Sequence, residues 1–432
     1  MKGLIERASA TGAQFEIYSR SAETRSVSIE NSEFKSAEVN FHAGVSLRLI
    51  KGGLIGTSFT TNLADPELLV ANAMASLNAG VPAGISFPGR GAFPAVRTYS
   101  EKAEKVGTEE LLSESFRIVR DLAARSDAQI NVAASALISE SRLVNSSGLD
   151  YSWKGSQVEK TASLVTAGGS DCIAADIWFD LEPMRKESLE EVSSIFCSCS
   201  NEIRPAAGKR KVLFMPRAIE VLLWRLRSGA SAQSLSQNIS PLAKKEGDKV
   251  FSGNLTVKSS PLDDSMPGAR AIDDEGVSCS DLKLVEKGVF RGFYSDLKFA
   301  AKTGVKPTGH GFRRGPWGGN PVMMPVLPYL GHVCVERGDR TFGELLKEMG
   351  DGIVVFGTLG DHTGNIPNGD FSIGLSMGFC VENGSIIGKA RDSMVSGNVY
   401  DVLNRVLAIG SESDPVYGNN PPLLLEGVDV SS

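Results

Sequence analysis

The feature that most constrains the fold is the order in which strand-like and helix-like stretches follow one another. Residues 25–40 alternate largely between polar and apolar side chains. Residues 45–50 continue this pattern up to Lys51-Gly52-Gly53, which predicts a hairpin turn into residues 54–57. Further predicted strands come in runs with helices between them, without the regular strand–helix–strand repeat of a parallel sheet. This order predicts the α+β class.

Two breaks in the pattern divide the chain. At 432 residues it is too long for one ordinary hydrophobic core. The proline- and glycine-rich residues 81–94 and the short segment 205–209 are candidate linkers. We therefore expect an N-terminal α/β-type segment of strands and helices, split at 1–95 and 96–205. A β-rich C-terminal domain with mixed sheets should follow over 206–432.

Local signals predict where several helices begin. Thr108 is expected to cap one helix, and another is expected from about Pro216. Thr341 and Glu344 have the spacing of a capping box at the start of a third. A last helix is predicted over about 399–409, because its apolar residues recur at helical spacing.

Residues 374–378 have the Gly-x-Ser-x-Gly spelling of a nucleophile elbow. An elbow joins a strand to a helix. Here residues 379–382 look like a strand that runs into the turn Asn383-Gly384. We therefore interpret residues 374–378 as part of a strand.

Composition argues against two classes of partner. The net charge is −6, and no basic stripe of the kind that binds nucleic acid is visible, so direct contact with DNA or RNA is not expected. No apolar run approaches the ~20 residues of a membrane span.

The N-terminus lacks the apolar region of a signal peptide, and six cysteines are too sparse for a disulfide framework. A cytoplasmic location is the prediction.

The histidines do not form a metal-binding motif. None of His42, His310, His332 and His362 has a second histidine three to five residues away, the spacing that places two imidazoles on one helix face. A site assembled from distant ligands stays open at this point. We expect no metal ligand and no cofactor.

Three short segments could carry chemistry or binding. The carboxylates of Asp273-Asp274-Glu275 could hold a cation or position a water, although a turn with solvated side chains is favoured. Asp361 beside His362 could form a general-base pair, but adjacent side chains seldom pair, so a loop is favoured. Gly309-His310-Gly311 is expected to be a loop that a peptide backbone can approach. The candidate peptide- or partner-facing residues are Asp361, His362, Asn365, Asp274, Glu275 and His310.

Several longer segments resemble the TldD/PmbA family, associated by name with modulation of DNA gyrase. The resemblance spans nearly the whole chain and is most specific in the last third. The N-terminal segments that resemble the family are 28–31 and 44–48. The C-terminal segments are 273–276, 284–296, 307–311, 361–374, 378–384 and 396–399.

The resemblance implies a role in which this chain lacks a catalytic metal. TldD-type members resemble zinc peptidases with H-E-x-x-x-H on a helix and a later cysteine ligand, and PmbA-type members (also called TldE-like) pair with them. Aligned on Leu222-Leu223, Trp224 and Gly229 stand where the histidines would be, and Arg225 stands where the glutamate would be. Tryptophan and glycine offer no side-chain ligand, and arginine cannot act as a base.

The resemblance therefore implies a metal-free partner of a TldD-like metallopeptidase that acts on unfolded or leader peptides. No catalytic residue is predicted, and without its partner the chain should form a symmetric homodimer. A self-sufficient hydrolase using Asp361, His362 and the acidic cluster is one alternative. A homodimeric peptide-binding module is the other.

Overall fold

The computed structural model describes residues 1–62, 64–166, 171–315, 318–414, 416 and 418–432. The chain is α+β, as its sequence predicts, with long antiparallel strands in the first half and shorter strands in a mixed sheet in the second. The α-helices are α1 (Lys2–Ala10), α2 (Pro66–Ser76), α3 (Thr108–Ala123), α4 (Lys186–Cys197), α5 (Glu220–Gly229), α6 (Ala232–Ser236), α7 (Leu297–Thr303), α8 (Phe342–Met349) and α9 (Val399–Val402).

The first half is built around a six-stranded antiparallel sheet. Strand β1 (Gln14–Glu30) pairs with β4 (Gln129–Asn145) from Glu16 opposite Asn145 to Ile29 opposite Val132. Residues 1–95 and 96–205 therefore contribute to one continuous sheet, and their division into two units stays a prediction. In spatial order the strands are β3 (Leu54–Thr60), β2 (Glu33–Lys51), β1 (Gln14–Glu30), β4 (Gln129–Asn145), β5 (Asp150–Val165) and β6 (Asp171–Trp178).

The two faces of this sheet have different neighbours, because successive side chains in a strand point to opposite sides. On one face Ile17 of β1 packs with Leu69 of α2. On the other face the next residue, Tyr18, packs with Ile272 and Val322 of the second half. The sheet thus lies between a helical layer and the C-terminal region.

The second half contains a sheet whose strands close into a ring. Strand β15 (Gly352–Leu359) pairs with β8 (Gly208–Phe214) in parallel and with β16 (Asp370–Glu382) antiparallel. Strands β8, β20 (Leu423–Ser431), β18 (Met394–Asn398) and β16 pair in succession. Helix α5 belongs to the large hydrophobic core that includes strands of this ring. The ring strands are β8 (Gly208–Phe214), β15 (Gly352–Leu359), β16 (Asp370–Glu382), β18 (Met394–Asn398) and β20 (Leu423–Ser431).

Shorter strands extend the ring and form two further sheets. Strands β7 (Glu202–Ile203), β17 (Ser385–Ala390) and β19 (Val406–Ile409) attach to the ring sheet. A four-stranded sheet contains β9 (Val257–Ser259), β10 (Leu282–Glu286), β11 (Val289–Phe290) and β14 (Val333–Val335). A two-stranded sheet contains β12 (Gly311–Arg313) and β13 (Val326–Pro328).

Several local predictions are confirmed. Thr341 and Glu344 form the predicted capping box of α8. Asn383 and Gly384 turn β16 into β17, each with positive φ. Residues 374–378 lie within β16, so the Gly-x-Ser-x-Gly spelling belongs to a strand. Among the described residues, none of the helices has the length and apolar character needed to cross a membrane.

Other boundaries were predicted wrongly. Helix α3 has Gly107 rather than Thr108 as its N-cap, and α5 begins at Glu220 after a turn over 216–219. The last α-helix stops at Val402, because Val406 to Ile409 form β19 and pair with β20. Their apolar spacing suits a short helix followed by a strand as well as it suits one long helix.

Candidate functional site

Helix α5 carries Trp224, Arg225 and Gly229, the residues for which the family resemblance predicts the place of a catalytic motif, and packing and ion pairing hold this helix in position. Its apolar residues Val221, Leu222 and Leu226 are buried in the large core. Ion pairing between Arg227 and Glu220 joins its two ends. The orientation of Trp224, Arg225 and Gly229 is therefore set by packing of the helix.

Arg225 is fully buried and its guanidinium donates to four backbone carbonyl oxygens. Nη1 donates to Val221 O at 2.9 Å within the helix. Nε donates to Asp370 O at 2.7 Å, and Nη2 donates to Thr363 O at 2.6 Å and Asp361 O at 3.1 Å. The arginine thus fastens onto α5 the segment between β15 and β16, here called the loop 360–370, which includes Asp370, the first residue of β16.

Burial lowers the pKa of Arg225, and the nearby carboxylates of Asp361 and Asp370 oppose that shift. An arginine stays protonated even when its pKa falls, because it starts above ~12. Arg225 is thus a fixed cation whose N–H groups bind loop carbonyls.

Gly229 lies against the side chain of Tyr400 from α9. A Cβ atom added at Gly229 would lie 1.8 Å from Tyr400 Oη, far inside van der Waals contact. Tyr400 Oη in turn donates to Pro367 O at 3.3 Å. The space that a side chain at position 229 would need is occupied by the tyrosine hydroxyl.

These three positions do not fit a zinc ion. Zinc is bound by cysteine, histidine or carboxylate side chains, and Trp224, Arg225 and Gly229 supply none of these. In the part of the chain that the structure describes, no three His, Cys, Asp or Glu residues are grouped as a metal site would require.

The predicted residues Asp361, His362 and Asn365 all lie on the loop 360–370. His362 and Asn365 are exposed, whereas Asp361 is half-buried. The Oδ1 atom of Asp361 is buried without a hydrogen-bond partner among the described residues. The loop thus presents polar groups at the surface, and their role toward a peptide or partner stays a prediction.

The predicted residues Asp274 and Glu275 lie in the interior, not on a solvated turn. Asp273, Asp274 and Glu275 are 0%, 4% and 1% exposed. Asp273 accepts hydrogen bonds from the backbone N–H groups of Glu275, Val277 and Gly311. The interpretation as a turn with solvated side chains was wrong, because backbone donors and arginines surround these carboxylates.

Each carboxylate of this turn has a different electrostatic environment. Burial, followed by the charge of Glu275, raises the pKa of Asp273 well above its ordinary value. Burial would also raise the pKa of Asp274, but Arg270 and the Arg313 backbone N–H lower it below the ordinary value. Arg270 Nη2 donates to Asp274 Oδ1 at 2.6 Å.

Glu275 belongs to a buried ion network that joins the two halves of the chain. Arg48 Nη1 of β2 donates to Glu275 Oε1 at 2.8 Å. Arg48 also forms a bidentate pair with Glu16 of β1, at 2.8 and 2.6 Å. Arg313 completes the network by donating to Glu16 Oε1 at 3.0 Å. The acidic cluster therefore has a structural role at the junction between the antiparallel sheet and the C-terminal region.

Asp296 lies near this acidic cluster but was not among the candidate residues predicted from the sequence. It caps α7, because its Oδ1 accepts from Phe299 N at 2.7 Å, while Oδ2 is buried without a partner among the described residues. Burial, then the charge of Glu275, raises the pKa of Asp296 to about 7. An aspartate before a helix start signals an N-cap, but only tertiary contacts place it near Glu275.

His310 is also an interior residue. It is 0% exposed, and its Nδ1 lies 2.9 Å from Thr308 O while Nε2 lies 3.3 Å from Ser259 Oγ. Burial lowers the pKa of His310 to about 4. The structure thus separates the six predicted residues into two groups. Three lie on the loop beside α5, and three lie in the interior. The two interior segments are linked by the hydrogen bond that Asp274 N donates to Gly311 O.

Comparison with known proteins agrees with this architecture. Residues 207–432 match the model of the PmbA/TldA metallopeptidase C-terminal domain, and residues 15–77 match PmbA/TldA metallopeptidase domain 1. The first match alone covers more than half of the 432 residues, so the chain belongs to the PmbA/TldD family.

Named relatives and solved structures are similar along much or all of the chain. A metalloprotease from Methanothermobacter thermautotrophicus is 24% identical over 92% of this chain and 88% of its own length. A metalloprotease PmbA homologue from Haemophilus influenzae is 24% identical over 62% of this chain and 57% of its own. The crystal structure of TldE from Thermococcus kodakarensis has a TM-score of 0.89 at 22% identity and covers 100% of both chains, which shows a shared fold.

Proposed function

We propose that this chain is a metal-free, cytoplasmic subunit that pairs with a TldD-like zinc metallopeptidase and helps it to process unfolded or leader peptides. The observation that carries the proposal is the set of hydrogen bonds that Arg225 donates. Its N–H groups hold three carbonyls of the loop 360–370, at the position where a peptidase would place its general base.

The chemistry of α5 supports a role without independent catalysis. A guanidinium cannot accept a proton at neutral pH, and its positive charge opposes a divalent cation nearby. The tyrosine hydroxyl over Gly229 also leaves no room for a side chain that could serve as a ligand. Restoring a zinc site would require rebuilding α9 as well as α5.

The name of the family supports peptide cleavage as the reaction class. That this chain acts as the partner of a TldD-like metallopeptidase is our proposal. A subunit that closes a peptidase chamber must bury a large surface against another chain, usually ~1,200–2,000 Å² in total. We expect residues 206–432 to supply most of it, because they carry α5. Without its partner the chain should form a symmetric dimer by pairing the same surface with itself.

The first test measures metal and activity. Protein purified without chelator should contain less than about 0.1 zinc per chain and should not cleave casein or leader peptides at any divalent-metal concentration. A stoichiometric zinc content would overturn the metal-free role. Cleavage that a chelator abolishes and that His362→Ala also abolishes would favour a self-sufficient hydrolase.

The second test measures assembly by light scattering, alone and after mixing with a TldD-like protein. A homodimer alone and a stable mixed complex are expected. A monomer that stays monomeric after mixing would refute the paired-subunit role and leave a peptide-binding module.

A further inference from the structure

A groove of about 600 Å³ lies between the antiparallel sheet and the C-terminal region. Strands β1, β4 and β5 form one wall, and described residues of the segments 261–274, 312–315 and 318–332 contribute the other. The groove lies outside helix α5 and the loop 360–370. Its aromatic lining residues are Tyr18, Trp153, Phe312 and Tyr329.

The groove is basic although the chain is acidic. The chain has a net charge of −6, so a local excess of positive charge does not follow from its composition. Among the described residues, five cationic side chains and one carboxylate line the groove, but three of the cations are ion-paired: Lys154 with Glu104 and Glu140, Arg270 with Asp274, and Arg313 with Glu16. The excess positive charge therefore belongs to Arg20 and Arg314. The cationic residues are Arg20, Lys154, Arg270, Arg313 and Arg314, and the carboxylate is Asp274.

Aromatic rings hold three of these arginines in place. The guanidinium of Arg270 lies 4.5 Å from the ring centre of Trp153. That of Arg313 lies 4.9 Å from Tyr18, and that of Arg314 lies 4.5 Å from Tyr329. Stacked guanidinium groups lose less freedom when a ligand binds, and their planar fork matches a carboxylate.

Several of these groups have unused hydrogen-bonding capacity. Arg313 has a side chain only 4% exposed, and its Nε lacks a hydrogen-bond partner among the described residues. Within the same part of the chain, no carboxylate lies within 4.0 Å of a side-chain nitrogen of Arg20 or Arg314. A buried N–H without an acceptor is unfavourable, so the Nε of Arg313 can still donate to a bound anion.

We propose that this groove binds a carboxylate-bearing segment of an extended peptide, with Arg20 and Arg314 as its principal anionic contacts. This inference rests on the proposed function and deepens it, because it assigns the substrate class to a place on this subunit. The carboxylate could belong to an acidic side chain or to a peptide C-terminus, and both would be recognised by the same arginine forks.

The test measures binding to the full chain by fluorescence anisotropy. The probe is a rhodamine-labelled ten-residue peptide of glycine, serine and aspartate, compared with the same peptide carrying asparagine in place of aspartate. A third peptide keeps asparagine and has a free instead of an amidated C-terminus. Tighter binding of the first or third peptide identifies the source of the carboxylate.

The variants Arg20→Gln and Arg314→Gln should each weaken binding of the acidic peptide by roughly tenfold, because each removes a charge-assisted hydrogen bond. Arg120→Gln is the matched control, since Arg120 is exposed on α3, on the helical side of the sheet. Raising the salt concentration should weaken binding of the acidic peptide by screening the charges.

Equal affinity for the charged and uncharged peptides, or no effect of either groove variant, would overturn the proposal. Displacement of the peptide by inorganic phosphate or by a single-stranded oligonucleotide at lower concentration than by free acidic peptide would also overturn it. If a variant does not fold, competition between unlabelled charged and uncharged peptides on the wild-type chain decides the question. Because no partner protein is present, a negative result here is independent of the assembly test.

Discussion

Replacing Gly229 with alanine tests whether the site at the end of α5 is closed. Alanine is ordinarily favoured over glycine in a helix by roughly 1 kcal/mol. Here the new Cβ would lie 1.8 Å from Tyr400 Oη and 3.1 Å from its Cζ. Tyr400 cannot move freely, since α9 packs within the core and the Tyr400 hydroxyl donates to Pro367 O.

The steric term should exceed the helix-propensity term. Overpacking a closed site costs about 1–3 kcal/mol, so after the gain of roughly 1 kcal/mol in helix propensity we expect Gly229→Ala to lower the free energy of unfolding by up to about 2 kcal/mol. Tyr400→Phe removes the atom in the closest contact. In that background Gly229→Ala should cost about 1 kcal/mol less than in the wild type, which is a measurable coupling energy.

The measurement is chemical denaturation of the wild type, Gly229→Ala, Tyr400→Phe and the double variant. A change in stability appears as a shift in the denaturant midpoint while the slope of the free energy against denaturant concentration stays constant. Gly343→Ala is the control, because a Cβ at that position in α8 meets no other heavy atom within 4 Å. It should be neutral or stabilising. If Gly229→Ala raises the midpoint in the wild-type background, position 229 has room for a side chain and the reasoning is refuted.

Three further substitutions test the buried charges. Arg225→Met should lower stability by about 1–3 kcal/mol and speed hydrogen exchange in the loop 360–370, because the partly buried loop carbonyls lose their donor; unchanged exchange would contradict the role of Arg225. Arg48→Met should cost about 3–5 kcal/mol, measured by denaturation, because Glu275 would then keep a buried charge without its arginine. For Asp296, whose pKa is raised to about 7, the folded state holds the proton more tightly than the unfolded state, so stability should fall as the pH rises from about 4 through 7. Asp296→Asn keeps the N-cap acceptor and should flatten that dependence, giving a more stable protein than the wild type at pH 8; an unchanged profile would rule out this titration.

Local sequence determined much of the secondary structure. The capping box at Thr341 and the Asn383-Gly384 turn depend on backbone preferences of a few adjacent residues, so their signals are complete within the sequence. The last helix was predicted too long because the spacing of Val406 to Ile409 suits a helix, and pairing with β20 decided otherwise.

The sequence also predicts that Trp224, Arg225 and Gly229 stand in for a catalytic motif, since the side-chain chemistry of tryptophan, glycine and arginine excludes them as zinc ligands. It did not reveal that Tyr400, which lies 171 positions after Gly229 along the chain, covers that glycine. Contacts between residues distant in sequence have no local signal.

Only the tertiary structure decided the environment of the acidic turn. Three consecutive acidic residues before a glycine ordinarily indicate solvent, because burying charge without partners is costly. Arg48 and the backbone N–H of Gly311 supply partners from other segments of the chain, whereas Arg270 lies only four residues before Asp274. The composition of the turn was therefore visible in the sequence, but its burial depended on how the two halves of the protein pack together.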